Sequence, residues 1–469
     1  MAWLSAHLSL SRAESFANQG YPPGLPVVLR LLSPLVGSFL RAVFLWQALA
    51  ATASVYFVFR IATNLSRRRW AGALALGGAA LAGLPVFTSE FADGTSTALF
   101  LGGLCVLTSR DADRKGFFQF GLAAGLSYLF RTHYLMLIAL VPVALLIAGF
   151  GLRRVGTACL AFAAGFAATA WPLWLLNTLA YGSPLHAGVS QYNIAQQVVS
   201  GAFNWEDYPN TYNLWPLSRI LQERPWQLFQ NSVDNAAYTL GLKLSLVSGA
   251  IGAAAMVLVG DRRHRQLLAF GGVLALLYVL CAIVPTHYTD RAYAPVAMLA
   301  SVLLACGLSE LVARTRRKRW ALLAAAVALS FVVYPADLYA ELKGRAHEAR
   351  WNKRITRLLV NNGMRSSDEV FSNYWNIYNM ADPRFITFYN YGGWLELDSQ
   401  YARERPHPTA ATTEEWQQFF AEHGIRFVIL RAKGHARELA RHPPASWRVL
   451  YSDGNLAVYA LGPAPEATP

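Results

Sequence analysis

AGALALGGAALAGLPVFTSEFADGTSTALFLGGLCVL, residues 71–107, decides how this chain is built. Two apolar arms flank a short turn, TSEFADG, that carries Glu90 and Asp93. The arms have no polar face, and runs of this kind suit a hydrocarbon solvent better than a water-bounded core. Two more runs read the same way: GTACLAFAAGFAATAWPLWLL at 156–176 and QLLAFGGVLALLYVLCAIVP at 266–285. Apolar residues make up 54% of the 469 and charged residues only 14%, where a soluble chain carries about 25% charged. These features predict a mainly α, polytopic membrane protein.

Spans are expected at about 42–64, 71–87, 94–109, 117–130, 134–150, 157–178, 240–260, 267–284, 292–313 and 321–338, roughly ten in all. The net charge of +14 does not indicate a nucleic-acid partner, because the basic residues sit in short clusters between apolar runs. Alternate connections hold sixteen Lys and Arg, among them Arg67-Arg68-Arg69, Arg153-Arg154 and Arg316-Arg317-Lys318-Arg319. The opposite short connections hold four: Arg131, Arg219, Arg224 and Arg291. The arginine side therefore faces the cytoplasm, and 1–38, 179–239 and 340–469 face out. An outward N-terminus without a preceding span suggests that a first helix is missing upstream of Met1. Cys105, Cys159, Cys281 and Cys306 all lie in apolar runs and read as small buried hydrophobes.

The last 130 residues differ in kind. EEWQQFFAEHG reads as a helix running into a strand, IRFVIL. WRVLYSDGNLAVYAL reads as two strands about an Asp453-Gly454 turn, and DEVFSN as another strand. The chain divides into a helical membrane domain, 1–339, and a small external α/β domain, 340–469. The aromatic stretch SNYWNIYNMADPRFITFYNYGGW suits either sugar stacking or the core of a small domain. The aromatics of 179–239 (Tyr192, Trp205, Tyr208, Tyr212, Trp215, Trp226) form an interfacial belt or wall a lipid or glycan cleft.

Three helix pairs turn back on the outward side with almost no loop, at TSEFADG, at RTH (131–133) and at PTHYTDRAY (285–293). Arms of about 16–18 residues rise roughly 24–27 Å, less than the ~30 Å hydrocarbon thickness. Their apices, with Glu90, Asp93, Arg131, His133, His287, Asp290 and Arg291, should sit below the outer surface, where a charge needs a partner or a water-filled cavity. Simpler readings stand beside this one. Asp93 is placed to cap the helix that follows it, and Arg131 could snorkel to the headgroups. A loop histidine such as His287 is commonly just solvated.

At these residues the chain resembles the C-type glycosyltransferases that use polyprenyl-phosphate sugars, a superfamily that includes protein mannosyltransferases and the bacterial aminoarabinose and galacturonic acid lipid A transferases. Tyr21-Pro22-Pro23-Gly24-Leu25-Pro26 resembles the family's YPPxxP run. Thr88-Ser89-Glu90 is similar to its acidic second external turn, and GLAAGLSYLFRTHYLML to its Gly-rich helix ending in arginine. WPLWLLNTLAYGSPLHAG resembles its exit into the long external loop, and Asp290-Arg291-Ala292-Tyr293-Ala294-Pro295 its RYxxP turn.

The resemblance implies transfer of a sugar from a polyprenyl-phosphate donor to a lipid, glycan or protein acceptor on the outer face, with inversion at the anomeric carbon. A carboxylate must take the acceptor's proton, and Glu90 or Glu14 is the candidate base. The family's catalytic acid lies in the first external loop, and Glu14 is the single acidic residue before Glu90. The leaving phosphate needs a cation, for which Arg131 and Arg291 are the candidates. Asp93, Asp290 and His287 would orient the acceptor or hold a divalent ion such as Mg or Mn if one is used. His133, Tyr288, Tyr293 and Tyr21 complete the implied substrate-binding set. A transporter or flippase, and an inactive glycolipid-binding scaffold, are the alternative readings. The setting implied is a bacterial inner membrane, with the C-terminal domain in the periplasm.

Overall fold

In the computed structural model, residues 24–37, 39–87, 93–109, 113–181, 183–185, 198, 217–242, 262–283, 294–314, 354–365, 369–372, 389–390, 412–422, 424–431, 437–454 and 456–461 are described. The helical part begins with α1 (Gly24–Val36), α2 (Phe39–Ser66), α3 (Arg69–Phe87), α4 (Asp93–Ser109) and α5 (Arg114–Tyr128). A 3₁₀ turn (Thr132–Met136) then leads into α6 (Leu137–Ile147) and α7 (Leu152–Tyr181). After these come α8 (Leu217–Glu223), α9 (Pro225–Leu242), α10 (Arg262–Tyr278) with a π-helical turn (Val279–Ile283), and α11 (Ala294–Arg314).

The bundle has a basic end. The α2–α3 turn passes through Arg67 in the left-handed region (φ 58°), and Arg68 Nη1 donates to the Ser309 carbonyl at 2.6 Å, tying this turn to the far end of α11. Asp113 caps α5 by accepting from Gly116 N at 2.6 Å. Gln266 Nε2 near the start of α10 donates to the Gly149 carbonyl at 3.0 Å, beside the α6–α7 turn. The turns rich in arginine therefore gather at one end, and Asp93, Arg131 and Tyr278 lie at the other.

Close helix contact relies on glycine. A Cβ on Gly121 would lie 2.1 Å from the Phe162 carbonyl oxygen, and one on Gly165 would lie 2.1 Å from that of Phe118. α5 and α7 thus touch backbone to backbone, as small residues at a helix crossing allow. Thr169 Oγ1 adds a bond across the crossing to the Leu122 carbonyl at 3.0 Å. Beside it, Phe117, Phe120, Phe162, Phe166 and Phe270 are fully buried and stack edge to face or tilted.

The described helices follow the expected spans closely, with small changes at the ends. The run expected at 134–150 begins instead as the 3₁₀ turn from Thr132, and that expected at 157–178 extends over Leu152–Tyr181. Among the described residues, two stretches, Arg41–Ser66 and Leu152–Leu179, are long and apolar enough to cross a membrane unaided; Thr132–Ile147, Ala269–Cys281 and Ala294–Glu310 are shorter apolar helices. The tenfold span count is therefore not established by helix length. The spans expected at 240–260 and 321–338 fall largely or wholly outside the described residues, as does the boundary expected at 339/340.

α1 belongs to the stretch expected to lie outside. Leu25, Leu29, Leu32 and Val36 form a stripe against Ala42, Val43 and Trp46 of α2. Its opposite face exposes Val27, Leu31 and Leu35.

The C-terminal strands lie where their alternation places them. Helix α12 (354–361) precedes β1 (Val370–Ser372), followed by β2 (Tyr389–Asn390), α13 (Thr413–Glu422), β3 (Phe427–Arg431), α14 (Arg437–Arg441), β4 (Arg448–Ser452) and β5 (Leu456–Ala460). The sheet order is β2-β1-β3-β5-β4. β1 runs parallel to β2 and β3, while β5 is antiparallel to β3 and β4. The β4–β5 turn uses Gly454 at φ 85°, where a side chain would be strained. One sheet face packs on Ile355 and Leu359 of α12; the other packs Phe371 and Val428 on Trp416, Phe419 and Phe420 of α13.

Candidate active site

The end of the bundle opposite the basic turns holds the charged pair. Asp93 is the first residue of α4 and only 2% exposed; Arg131, just beyond α5, is 6% exposed. Arg131 Nη2 donates to Asp93 Oδ2 in a charge-assisted bond. The snorkelling expected of a lipid-facing arginine is thereby excluded: the side chain turns inward to a carboxylate. Asp93 stands in the first turn of its helix, where the helix dipole also favours a negative charge, but its carboxylate is held across the bundle by Arg131.

A hydroxyl chain fixes the two backbones together. Ser96 Oγ donates to the Asp93 carbonyl at 3.0 Å, Ser127 Oγ to the Ser96 carbonyl at 3.1 Å, and Arg131 N to the Ser127 carbonyl at 2.9 Å. Trp46 Nε1 donates to Thr95 Oγ1 at 2.7 Å, anchoring the same turn of α4 to α2. Gly24 N donates to the Leu129 carbonyl at 2.8 Å, so α1 is pinned two residues before the arginine. An Asp–Arg pair so constrained cannot relax easily. Apolar residues of similar volume often replace such a buried pair without loss of stability, so its presence here marks a functional candidate.

An aromatic group borders the pair. The His133 ring lies 5.0 Å from that of Tyr134 and, edge on, 5.6 Å from that of Tyr278. The Tyr134 ring lies 5.7 Å from both Tyr278 and Phe100. Three sequence-identified residues, Asp93, Arg131 and His133, thus come together. Glu14, Tyr21, Glu90, His287, Tyr288, Asp290, Arg291 and Tyr293 lie outside the described residues. Among the described residues, no group of three or more His, Cys, Asp or Glu side chains converges as a metal set. Trp46, Ser96, Ser127, Tyr134 and Tyr278 escaped the sequence reading. A phenol in the otherwise apolar run 266–285 was the one available signal, since a buried tyrosine hydroxyl usually has a purpose.

In sequence the chain matches no protein-family model and no curated protein. In structure it is similar to ArnT from Cupriavidus metallidurans bound to undecaprenyl phosphate. The two are 15% identical over 95% of this chain and 89% of ArnT, with a TM-score of 0.54. It is also similar to the archaeal oligosaccharyltransferase AglB from Archaeoglobus fulgidus, in complex with an inhibitory peptide and a dolichol-phosphate. That pair is 10% identical over 92% of this chain and 64% of AglB, with a TM-score of 0.52. The fold is that of the GT-C glycosyltransferases.

Proposed function

We propose that the protein is a membrane glycosyltransferase. In this reading it moves a sugar from a polyprenyl-phosphate donor to a lipid, glycan or protein acceptor on the outer face of a bacterial inner membrane. The observation that carries the reading is the buried Asp93–Arg131 pair, held at the end of short apolar hairpins in a GT-C fold. The ArnT and AglB structures hold undecaprenyl phosphate and dolichol-phosphate, which suggests a lipid phosphate as the ligand here too.

In the reaction, an acceptor hydroxyl attacks the anomeric carbon. The new O–C1 bond forms as the bond from C1 to the phosphate oxygen breaks, and a carboxylate takes the hydroxyl proton. Glu90 is the proposed base, with Glu14 as the second candidate; the bonding pair leaves with the phosphate. Arg291 and Arg131 supply positive charge to the phosphate as it departs, where a low-dielectric site makes that charge count most. Asp93 holds the Arg131 guanidinium in a fixed plane, so that little reorganisation is needed as charge develops. Asp290 and His287 orient the acceptor.

The test is incubation of the purified full chain with labelled undecaprenyl-phosphate sugars and candidate acceptors. Label appearing in the acceptor is the expected result, slowed in Glu90→Gln and Arg291→Ala. Binding without turnover would instead indicate a glycolipid-binding scaffold, and label crossing a liposome bilayer a transporter. Wild-type rates in both variants would remove the site assignment.

A further inference from the structure

We propose that Tyr278 is a substrate-contacting residue of the Asp93–Arg131 site, its phenol donating a hydrogen bond to a phosphate oxygen of the lipid-linked donor. This rests on the transferase reading above and adds to it a residue that neither motif nor spacing singled out.

Three observations carry it. First, the Tyr278 hydroxyl is buried, in a residue only 4% exposed, and its neighbour is the Tyr134 hydroxyl, with no well-formed hydrogen bond between them. A phenol in a core normally finds a partner, and leaving one without is costly enough to be rare. Tyr278 does not need its oxygen for packing; phenylalanine would fill the same space. Second, the ring is clamped. His133 stands edge on to it at 5.6 Å and Tyr134 lies tilted against it at 5.7 Å. The hydroxyl therefore points in a fixed direction before any ligand arrives, which lowers the entropy lost on binding. Its oxygen is also close enough to Asp93 and Arg131 to feel the charge of both.

Third, the backbone departs from α-geometry immediately after it. α10 ends at Tyr278, and Val279–Ile283 continue as a π-helical turn. Such turns insert an extra residue, re-aim the side chains around them and occur mostly at functional sites.

The chemistry selects the ligand atom. A phenol donates one proton, and its bond is strongest to an anionic oxygen. The neighbouring arginine draws the same anion, so phenol and guanidinium would converge on one phosphate.

The experiment measures binding of undecaprenyl phosphate to the full chain in detergent, by quenching of tryptophan fluorescence, for wild type, Tyr278→Phe and Tyr128→Phe. Tyr128 is a control: it is also a buried tyrosine without a well-formed hydroxyl hydrogen bond, but its ring packs on Phe166 and its hydroxyl lies near Trp174. Tyr278→Phe is expected to bind about tenfold more weakly, the loss of one charge-assisted bond. Its thermal midpoint should equal that of the wild type, sugar transfer should slow, and Tyr128→Phe should bind as wild type does. Wild-type affinity in Tyr278→Phe overturns the phosphate contact, even if transfer slows. A fall in affinity accompanied by a lower midpoint assigns the hydroxyl to folding and overturns it as well. If the wild type neither binds undecaprenyl phosphate nor transfers sugar, the transferase reading fails and this inference fails with it. Tight wild-type binding with an unaffected Tyr278→Phe sinks this inference alone.

Discussion

Arg131 and Asp93 meet as an ion pair across 38 residues of chain, both shielded from solvent, with Arg131 Nη2 donating to Asp93 Oδ2. A pair of this kind behaves asymmetrically under mutation. Removing one partner leaves a buried charge without compensation, at about 3–5 kcal/mol, whereas replacing both with apolar residues of similar size is often neutral or better. Asp93→Ala and Arg131→Ala are each predicted to lower the unfolding free energy by about that amount. Asp93→Leu combined with Arg131→Met should recover most of it while transfer stays abolished. Denaturation and transfer assays on all four proteins check this. Single variants as stable as wild type would contradict the burial of the pair.

The glycine contacts separate two helices that look alike in sequence. Gly121→Leu must push α5 away from α7, because even its Cβ would meet the Phe162 carbonyl at 2.1 Å. Overpacking of this kind costs about 1–3 kcal/mol, and since α5 leads directly into Arg131, transfer should fall as well. Gly77→Ala in α3 is the contrast: nothing lies within 4 Å of its Cβ. There the helix should be unchanged or stabilised by up to ~1 kcal/mol. Equal midpoints for Gly121→Leu and wild type would show that the helices do not approach so closely.

Gly24 tests the attachment of α1. A Cβ there would lie 2.5 Å from the Leu129 carbonyl oxygen, the same atom that accepts from Gly24 N at 2.8 Å. Gly24→Ala is predicted to break this bond and loosen α1, costing about 1 kcal/mol. Limited proteolysis should then cut within α1 sooner than in wild type. An unchanged digestion pattern would rule out Leu129 as the anchor.

The helices and strands were legible because each carries its own signal in the chain. Residues 71–107 announce two apolar arms and an acidic turn, and Asp453-Gly454 announces a turn between two alternating strands. Convergence of Asp93 with Arg131 was legible only as shared depth. That the two pair directly depends on the Ser96–Ser127 relay, and small hydroxyls inside apolar runs carry no distinctive pattern. Nor could the clamp on Tyr278 be read, since periodicity does not say that the end of α10 meets the 3₁₀ turn at Thr132–Met136. The π-helical turn at Val279–Ile283 has no sequence signature at all. Helix α1 lies within 1–38, where no span was expected, and its docking on Leu129 was not legible either.

The C-terminal sheet gives a prediction with a pH sign. Burial raises the Tyr459 phenol above its ordinary value of 10.0, and its ring packs on Trp447 at 5.5 Å. In the unfolded chain this phenol ionises near its ordinary value, while in the folded sheet it holds its proton to higher pH. The unfolded state therefore binds fewer protons as pH rises past about 10, and stability falls with pH there. Below that point the contribution is fully present. Tyr459→Phe has no proton to lose, so the two proteins should differ little at pH 8, and the wild type should lose ground as pH climbs above 10. Resistance of the C-terminal region to proteolysis, followed from pH 8 to 11 in both proteins, measures the difference. Parallel curves would mean that Tyr459 is solvated, contrary to its place on β5 between the sheet and α13.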